Sequence, residues 1–229
     1  MNKTDSQIAI EWDVPSWSRA LEYWDNYSIE HNLYGKYGLE IGSRNGGLSY
    51  YFAKHFDAKI CCSDYGYPSI KAKELHQSAG LANLITFHNV DAADIPFPDN
   101  IFDFVVFKSV LGAVGRQNDY SRQVKALIEM HRVLKPGGIL FFAENAKGSL
   151  IHQWARCHFI SWGNSWRYVS YEEMHRLLEP FSKKDIRTTG FLAAFVSGKP
   201  IKAWASKLDN FASFLPNNWQ YILYGYAIK

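Results

Sequence analysis

The sequence predicts an α/β fold built on a mostly parallel, seven-stranded sheet with helices on both faces. Short apolar runs alternate with amphipathic stretches along most of the chain, which is the pattern of strands joined by crossover helices. A Gly-x-x-x-Gly loop, from Gly42 to Gly46, follows the first of these runs. Glycines at such a point allow a helix N-terminus to approach a ligand. With 229 residues, the chain is long enough for one domain with a full core.

The predicted strands are short apolar runs bounded by polar residues, glycine or proline. They cover Tyr37–Ile41, 58–63, 84–88, 102–107, 139–143, 185–189 and 219–228. Cys61 and Cys62 lie within the second run, where a buried, unreactive thiol is the expected role of each.

The predicted helices follow from apolar residues at helical spacing and from capping residues. They cover 47–55, 68–79, 119–134 and 170–178. Pro68 is expected in the first turn of the second helix, because proline is tolerated there. Pro136-Gly137-Gly138 is expected to end the third helix. Ser170 and Glu173 have the spacing of a capping box for the last one.

Two segments flank or interrupt the predicted sheet. Residues 11–17 precede the first strand and are expected to form a helical cap over the bound ligand. Residues 148–168 are rich in Trp, His and Arg, and we interpret them as an insertion that forms a lid over the carboxyl edge of the sheet. The predicted division of the single domain is a cap, a ligand-binding core and a part with the lid and last strands: 1–34, 35–147 and 148–229.

Composition excludes several classes of protein. The formal charge of +3, without a block of basic residues, does not favour nucleic-acid binding. No apolar stretch approaches the length of a membrane span, and the N-terminus lacks the apolar run of a signal peptide. The three cysteines form neither a disulfide framework nor a CxxC metal pair. The sequence therefore predicts a protein of the reducing cytoplasm with no metal, and its aromatic content of 16% suggests an aromatic-lined pocket.

The glycine loop suits two classes of ligand, and its context distinguishes them. A nicotinamide-binding loop is normally G-x-G-x-x-G, whereas Arg44 stands where the middle glycine would be. Glu40, at the end of the first strand, suits a cationic ligand that carries an amino acid. S-adenosylmethionine (SAM) has an ammonium and a sulfonium and no phosphate, so the loop favours SAM.

Five segments, in order from about residue 37 to 145, resemble the motifs of the class I SAM-dependent methyltransferases. The likeness is strongest to the ubiquinone-biosynthesis, or type 11, subgroup. The segments are Glu40-x-Gly42-x-x-x-Gly46, Ser63-Asp64, Val90-Asp91-Ala92-Ala93-Asp94-Ile95-Pro96-Phe97, Phe102-Asp103-Phe104-Val105-Val106 and Arg132-Val133-Leu134-Lys135-Pro136-Gly137-Gly138. The resemblance implies a Rossmann-like class I methyltransferase fold with SAM as cofactor.

The resemblance also implies a set of cofactor-binding residues. Asp64 is expected at the ribose hydroxyls and Asp91 at the adenine amino group; the alternative for each is a solvated turn residue or a helix cap. The full predicted set is Glu40, Gly42, Ser43, Gly46, Asp64, Tyr65, Asp91, Ala92 and Lys108. Asp94 and Asp103 are expected to be structural. Arg44 and Asn45 depart from the small residues of many relatives, so their side chains must point away from SAM or reach its carboxylate.

The lid segment supplies the candidate substrate and catalytic residues. His152, or His158, is a candidate general base, the alternative being a lid histidine bonded to the backbone. Arg156 and Arg167, with Lys108, are candidates to surround an anionic acceptor, or else to form surface ion pairs. Trp166 and the other lid tryptophans are predicted to stack on a ring of the acceptor, and hydrophobic lid packing is the alternative.

The predicted function is methyl transfer from SAM to a small polar molecule, on an oxygen of a glycan precursor or similar compound. An alkyl-chain acceptor would require an apolar lid instead, and a nucleic-acid duplex would require a broad basic face. The alternatives are a nicotinamide-dependent oxidoreductase, disfavoured by the loop, and a non-catalytic SAM-binding protein. Nucleic-acid methylation is weakened further by the lack of an Asn-Pro-Pro-Tyr or Pro-Cys motif. The sequence indicates no oligomeric state.

Overall fold

A computed structural model describes residues 3–160, 165–196, 198–209 and 214–229. Trp162 of the predicted lid lies outside these residues. The helices are α1 (Lys3–Ile10), α2 (Val14–Glu30), α3 (Gly47–Phe56), α4 (Ile70–Ser78), α5 (Leu111–Val114), α6 (Tyr120–Val133), α7 (Leu150–Phe159), α8 (Tyr171–Leu177) and α9 (Lys199–Leu208). The strands are β1 (Tyr37–Ile41), β2 (Lys59–Asp64), β3 (Ile85–Asn89), β4 (Phe102–Lys108), β5 (Leu134–Asn145), β6 (Lys183–Thr189) and β7 (Ile222–Ile228).

The strands form one seven-stranded sheet in the order β3-β2-β1-β4-β5-β7-β6. β1 to β5 are parallel to one another, and β7 runs antiparallel between β5 and β6. The predicted α/β fold with a mostly parallel sheet is confirmed. Chain order reverses between β1 and β4, and such a switch point leaves a crevice at the carboxyl ends of the strands.

The sheet separates two apolar cores, as expected for strands covered on both faces. On one face, α6 and α8 pack against strand residues such as Val105 and Phe142. On the other face, α2 and α3 bring Trp24 and Phe52 onto Phe104 and Phe141. Within the described residues, no helix combines the length and the apolarity that crossing a membrane requires.

Several predicted element boundaries were wrong for local reasons. The last strand begins at Ile222 and not at Trp219, because residues 217–219 form a 3₁₀ turn. Pro68 lies outside α4, because the Ser69 hydroxyl accepts the backbone N–H of Ala72 and caps a helix that begins at Ile70. The fifth strand begins earlier than residue 139, because Leu134 already pairs with Phe102 before an irregularity in the register. Pro136-Gly137-Gly138 therefore lies within β5 and does not end α6, which ends at Val133. The predicted capping box of Ser170 and Glu173 is confirmed and begins α8.

Candidate active site

The glycine loop joins β1 to α3 at the switch point of the sheet. Gly42 and Gly46 adopt left-handed φ angles of 69° and 74°, which glycine permits at little cost. A Cβ on Gly42 would lie 2.5 Å from Cγ2 of Val110, and one on Gly46 would lie 2.6 Å from Cε1 of His76. Close packing within the protein therefore requires glycine at both positions, and their contact with a ligand stays a prediction.

Glu40 lies at the end of β1, directly below the loop. Its carboxylate is buried and accepts the backbone N–H of Ser49 at 2.9 Å and also the Ser49 hydroxyl. Burial raises the pKa of Glu40 to about 7 against the effect of these bonds. A buried acid poised between charge states is typical of functional sites, and it suits a cationic group brought into the loop.

A small cavity of about 20 Å³ borders Glu40 and the loop and is closed by the segment between α1 and α2. Lys108, at the end of β4, donates to the carbonyl of Ile10 at 3.1 Å, and its Nζ lies 3.1 Å from the centre of the Trp12 ring. Burial lowers the pKa of Lys108 to about 7. Glu11 pairs with Arg44 at 3.2 Å, so this segment covers the loop through charged and aromatic contacts. The prediction of a helical cap over residues 11–17 was wrong for residues 11–13, which lie between α1 and α2.

Ser43 is buried in the glycine loop and borders the small cavity, and the other predicted cofactor residues lie at the ends of β2 and β3. The partly exposed carboxylate of Asp64 accepts the backbone N–H of Arg44 at 2.7 Å and that of Tyr65 at 2.8 Å. Tyr65 is exposed. Asp91 accepts the N–H of Ala93 at 2.9 Å and pairs with Arg122, whereas the side chain of Ala92 is buried.

Asp103 lies apart from these carboxylates, at the start of β4. It accepts the N–H of Tyr37 at 3.0 Å and pairs with Lys135 at 2.8 Å. Both contacts tie the start of β4 to its neighbours in the fold, as expected of a structural residue.

A second cavity, of about 880 Å³, opens beside the small one and shares Trp12 and Arg44 with it. This acceptor cavity lies at the carboxyl edge of the sheet, where the predicted lid was expected. Its lining is mostly aromatic and apolar: Trp12, Asp13, Trp17, Arg44, Ser109, Asn145, Ile151, His152, Trp154, Ala155, Arg156, Phe159, Ile160, Trp166, Tyr168, Ala194, Phe195, Lys202 and Tyr221. A cavity of this size is typical of a small-molecule site.

The floor of the acceptor cavity contains residues that the sequence analysis did not assign. Ser109 has a left-handed φ of 59° and accepts the side-chain N–H of Asn145 at 2.6 Å. Glu144, fully buried beside Asn145, accepts the backbone N–H groups of Val110 and Leu111 at 2.7 Å each. Burial raises the pKa of Glu144 to about 7. The adjacent acid and amide at the end of the fifth strand, Glu144 and Asn145, were the sequence signal that could have identified these residues.

Asp13 is a further unassigned residue of the cavity wall. Its carboxylate accepts the Tyr221 hydroxyl at 2.6 Å and the Ser16 hydroxyl at 3.1 Å, and Lys202 lies 3.5 Å away. Burial raises the pKa of Asp13. Its position after the first helix gave no signal, because its contact with Tyr221, just before β7, spans almost the whole chain.

The two candidate bases differ in location. His152 is buried in the cavity wall, where Nδ1 bonds the Ser149 hydroxyl at 2.8 Å and Nε2 bonds the carbonyl of Phe191 at 3.0 Å. Burial lowers its pKa. His158 is exposed, does not line the cavity, and bonds the carbonyl of Trp154 at 2.8 Å. Both therefore have the backbone contacts that the alternative interpretation predicted.

The predicted acceptor residues are divided between two cavities. Arg156 and Trp166 line the acceptor cavity, whereas Arg167 lines a neighbouring cavity of about 230 Å³ together with Arg156, Trp166 and Lys147. Arg167 and Lys147 both pair with Glu173, at 2.7 and 3.1 Å. The structure thus places Arg156 at both cavities, whereas Arg167 forms an ion pair with Glu173.

The Tyr-x-x-x-Lys spacing of a class of nicotinamide-dependent oxidoreductases occurs twice in the chain. Tyr67 and Lys71 line neither of the two cavities at the glycine loop, and the other pair is Tyr50 and Lys54. Lys54 donates to the Tyr50 hydroxyl at 2.8 Å, and both bond Asp5 of α1. Neither residue lines the two cavities at the glycine loop. The pair ties α1 to α3, so it gives no support to an oxidoreductase.

The sheet order and the glycine loop at its switch point define the Rossmann-like class I methyltransferase fold. Comparisons with known proteins agree with this assignment: the model of the methyltransferase domain family matches residues 39–142. The ubiquinone/menaquinone biosynthesis C-methyltransferase UbiE of Cellvibrio japonicus is 33% identical over 129 residues, which cover 54% of this chain and 49% of that relative. The chain spans about half the length of the curated relatives it matches.

Solved structures show the same fold over most of the chain. Phospholethanolamine N-methyltransferase 2 of Haemonchus contortus, in complex with phosphomonomethylethanolamine and S-adenosylhomocysteine, is similar with a TM-score of 0.65 and 16% identity, over 99% of this chain and 57% of that one. The cyclase SpnF is similar with a TM-score of 0.60 and 21% identity, over 93% and 82%. The resemblance to class I SAM-dependent methyltransferases is confirmed. The cyclase also shows that the fold by itself does not determine the reaction.

Proposed function

We propose that this chain is a SAM-dependent methyltransferase that acts on an oxygen of a small acceptor. The observation that carries the proposal is the position of the matched domain's glycine loop, which lies beside a buried acid and opens toward a cavity of about 880 Å³. We assign residues 1–34 to the cap, 35–147 to cofactor binding, and 148–229 to the acceptor site and the last strands.

The residues at the loop fit SAM in charge and in hydrogen-bonding capacity. Glu40 is a buried acid that accepts hydrogen bonds from Ser49 and has no directly paired cation among the described residues, so it offers negative charge to a cationic amino-acid group. Asp64 is partly exposed at the end of β2, where a carboxylate can accept bonds from a ribose diol. Asp91 would take the adenine amino group in exchange for its surface ion pair with Arg122.

The mechanism requires the protein mainly to align the two reactants. When bound, SAM supplies an electrophilic methyl group on a sulfonium, and transfer is an in-line displacement. Glu144 holds the backbone of Val110 and Leu111 at the end of β4, which fixes Ser109 and Asn145 at the floor of the acceptor cavity. Alignment of this kind can supply much of the rate enhancement.

The acceptor is proposed to carry an anionic group beside Arg156. The Arg156 side chain is buried, donates to the carbonyls of Ala146 and Lys147, and has no carboxylate partner among the described residues. Glu144 acts on Arg156 only from beyond ion-pair distance, and a buried cation with no directly paired carboxylate favours an incoming anion. A polar glycan precursor with a uronic acid or a phosphate would satisfy Arg156, although most of the lining suits an apolar or aromatic body better.

The proposal is tested by incubating the purified chain with cell extract and SAM carrying a labelled methyl group. Mass spectrometry should find the label in a small molecule, with one S-adenosylhomocysteine formed for each methyl group transferred. A Glu144→Gln variant should reduce the transfer, since an amide cannot accept all the N–H groups that Glu144 accepts. If SAM bound to the chain but no labelled small molecule formed, the chain would be a SAM-binding protein without this activity.

A further inference from the structure

The mouth of the acceptor cavity is formed by apolar side chains that remain open to solvent. Ile151, Trp154 and Phe159 of α7 line the cavity and are 58%, 56% and 75% exposed. Phe195, from the turn that packs between α7 and α9, lines it as well and is 42% exposed. Single exposed apolar residues are ordinary, but a cluster around the mouth of a cavity marks a binding surface.

The inner wall of the same cavity is polar and cationic. Arg156 lies on α7, on the same helix as the apolar mouth, but is only 9% exposed. One nitrogen of its guanidinium donates to two carbonyls, and its carbon lies 4.1 Å from the centre of the Tyr168 ring. The Ser109 and Asn145 side chains form the polar floor. The cavity is therefore cationic inside and apolar at its opening.

We propose that the acceptor is an anionic amphiphile, whose charged oxygen-bearing head lies beside Arg156 and whose aliphatic chain leaves across Ile151, Trp154 and Phe159. This inference rests on the proposed function and narrows its acceptor class. A wholly polar acceptor would leave the α7 side chains in water, and a partner protein or membrane bound to them would leave Arg156 without a counter-ion. An amphiphile satisfies both ends of the cavity with one molecule.

The test uses binding alone, so that it does not depend on turnover. Straight-chain carboxylates from butanoate to dodecanoate, kept below their micellar concentrations, are titrated into the full chain by calorimetry with S-adenosylhomocysteine present. Each methylene that becomes fully buried should lower Kd about fourfold, from about 0.8 kcal/mol per CH₂. The gain should stop once the chain extends beyond the mouth.

Two adjacent residues of α7 provide a matched pair of variants. Ile151 lines the cavity, whereas Leu150 is 82% exposed and lies outside it. Ile151→Ser should weaken binding of dodecanoate by about threefold to tenfold and that of butanoate much less. Leu150→Ser should match the wild type for both probes.

Several results would overturn the inference. One is a Kd that does not change with chain length; another is an equal loss in the Leu150→Ser and Ile151→Ser variants. Dimers that the Ile151→Ser change dissociates, with no carboxylate binding, would make the mouth an interface between copies instead. Failure of the proposed function is distinct, because it would appear as chain-length-dependent binding without S-adenosylhomocysteine production from SAM.

Discussion

The Nζ atom of Lys108 lies 3.1 Å from the centre of the Trp12 ring, at the boundary between the small cavity at the glycine loop and the acceptor cavity. Trp12 lies between Glu11 and Asp13, two non-glycine residues with left-handed φ angles of 67° and 45°. Backbone in this region costs free energy and persists where surrounding contacts enforce it. The contact with Lys108 therefore helps to hold a strained segment over the glycine loop.

Replacing Trp12 should ease entry of the cofactor. With a free volume of about 20 Å³, the site admits the amino-acid end of SAM only when the Trp12 segment moves. Below about pH 7, where Lys108 is charged, Trp12→Ala removes a desolvated cation–π contact worth about 1–2 kcal/mol, so stopped-flow association of SAM should become roughly fivefold to thirtyfold faster. Trp204→Ala, on the exposed face of α9, is the control. Equal association rates in wild type and Trp12→Ala would exclude Trp12 as a gate.

The titration of Lys108 should appear in the pH dependence of stability. Burial lowers the pKa of Lys108 to about 7, against about 10.4 for lysine in an unfolded chain. Between these values the native state binds fewer protons than the unfolded state, so the free energy of unfolding contributed by this residue rises with pH. Urea denaturation of Lys108→Met between about pH 7.5 and 9.5 should lack this rise, roughly 1 kcal/mol per pH unit.

The exposed Lys125 supplies the control for that titration. Lys125→Met should keep the slope of the wild type. Parallel curves for wild type and Lys108→Met would show that Lys108 stays charged in the folded protein.

His152 should contribute to stability more than to the chemical step. Both of its ring nitrogens are bonded, to Ser149 and to the carbonyl of Phe191. His152→Ala should lower the free energy of unfolding by about 1–3 kcal/mol and change the transfer rate less than about tenfold, below the range of a general base. His158→Ala should leave both the free energy of unfolding and the transfer rate unchanged. A rate loss of about a hundredfold or more, with loss of a limb of the pH–rate profile, would restore His152 as the base.

The packing role of Gly46 can be distinguished from the need for a left-handed backbone by comparison with Gly80. Gly46 and Gly80 have φ angles of 74° and 72°, but a Cβ would meet His76 at Gly46 and nothing within 4 Å at Gly80. Both changes to alanine incur the backbone cost of about 1 kcal/mol. Gly46→Ala should lose about 1–3 kcal/mol more through overpacking, measured by urea denaturation. Equal losses would mean that the loop relaxes away from His76.

The fold was predictable because its signals are local. The apolar runs predicted most strand ends to within a few residues of the observed ones. The Ser170 capping box depends on two residues three positions apart. Pro68 misled because Ser69 caps α4 instead, a choice between neighbouring residues that composition does not decide.

The acceptor side was less predictable, because its contacts join distant parts of the chain. Asp13 contacts Tyr221, which lies near the other end of the sequence. The Phe191 carbonyl bonds His152 of α7 but is 39 positions away along the chain. A count of polar residues in the lid therefore suggested a polar site. In the structure Arg167 pairs with Glu173, and Ile151 and its apolar neighbours form the mouth of the acceptor cavity.

Calorimetric titration of Asp64→Ala with SAM tests the central claim, a SAM site at the carboxyl ends of β1 and β2. Loss of the hydrogen bonds between a charged carboxylate and the ribose should weaken binding by about 1.5–3 kcal/mol. Asp94→Asn, on an exposed residue near the site, should bind SAM as the wild type does. Because Asp64 also holds the N–H of Arg44, the fold of the variant is checked by its urea denaturation curve. SAM affinity in a folded Asp64→Ala variant equal to that of the wild type would contradict the claim.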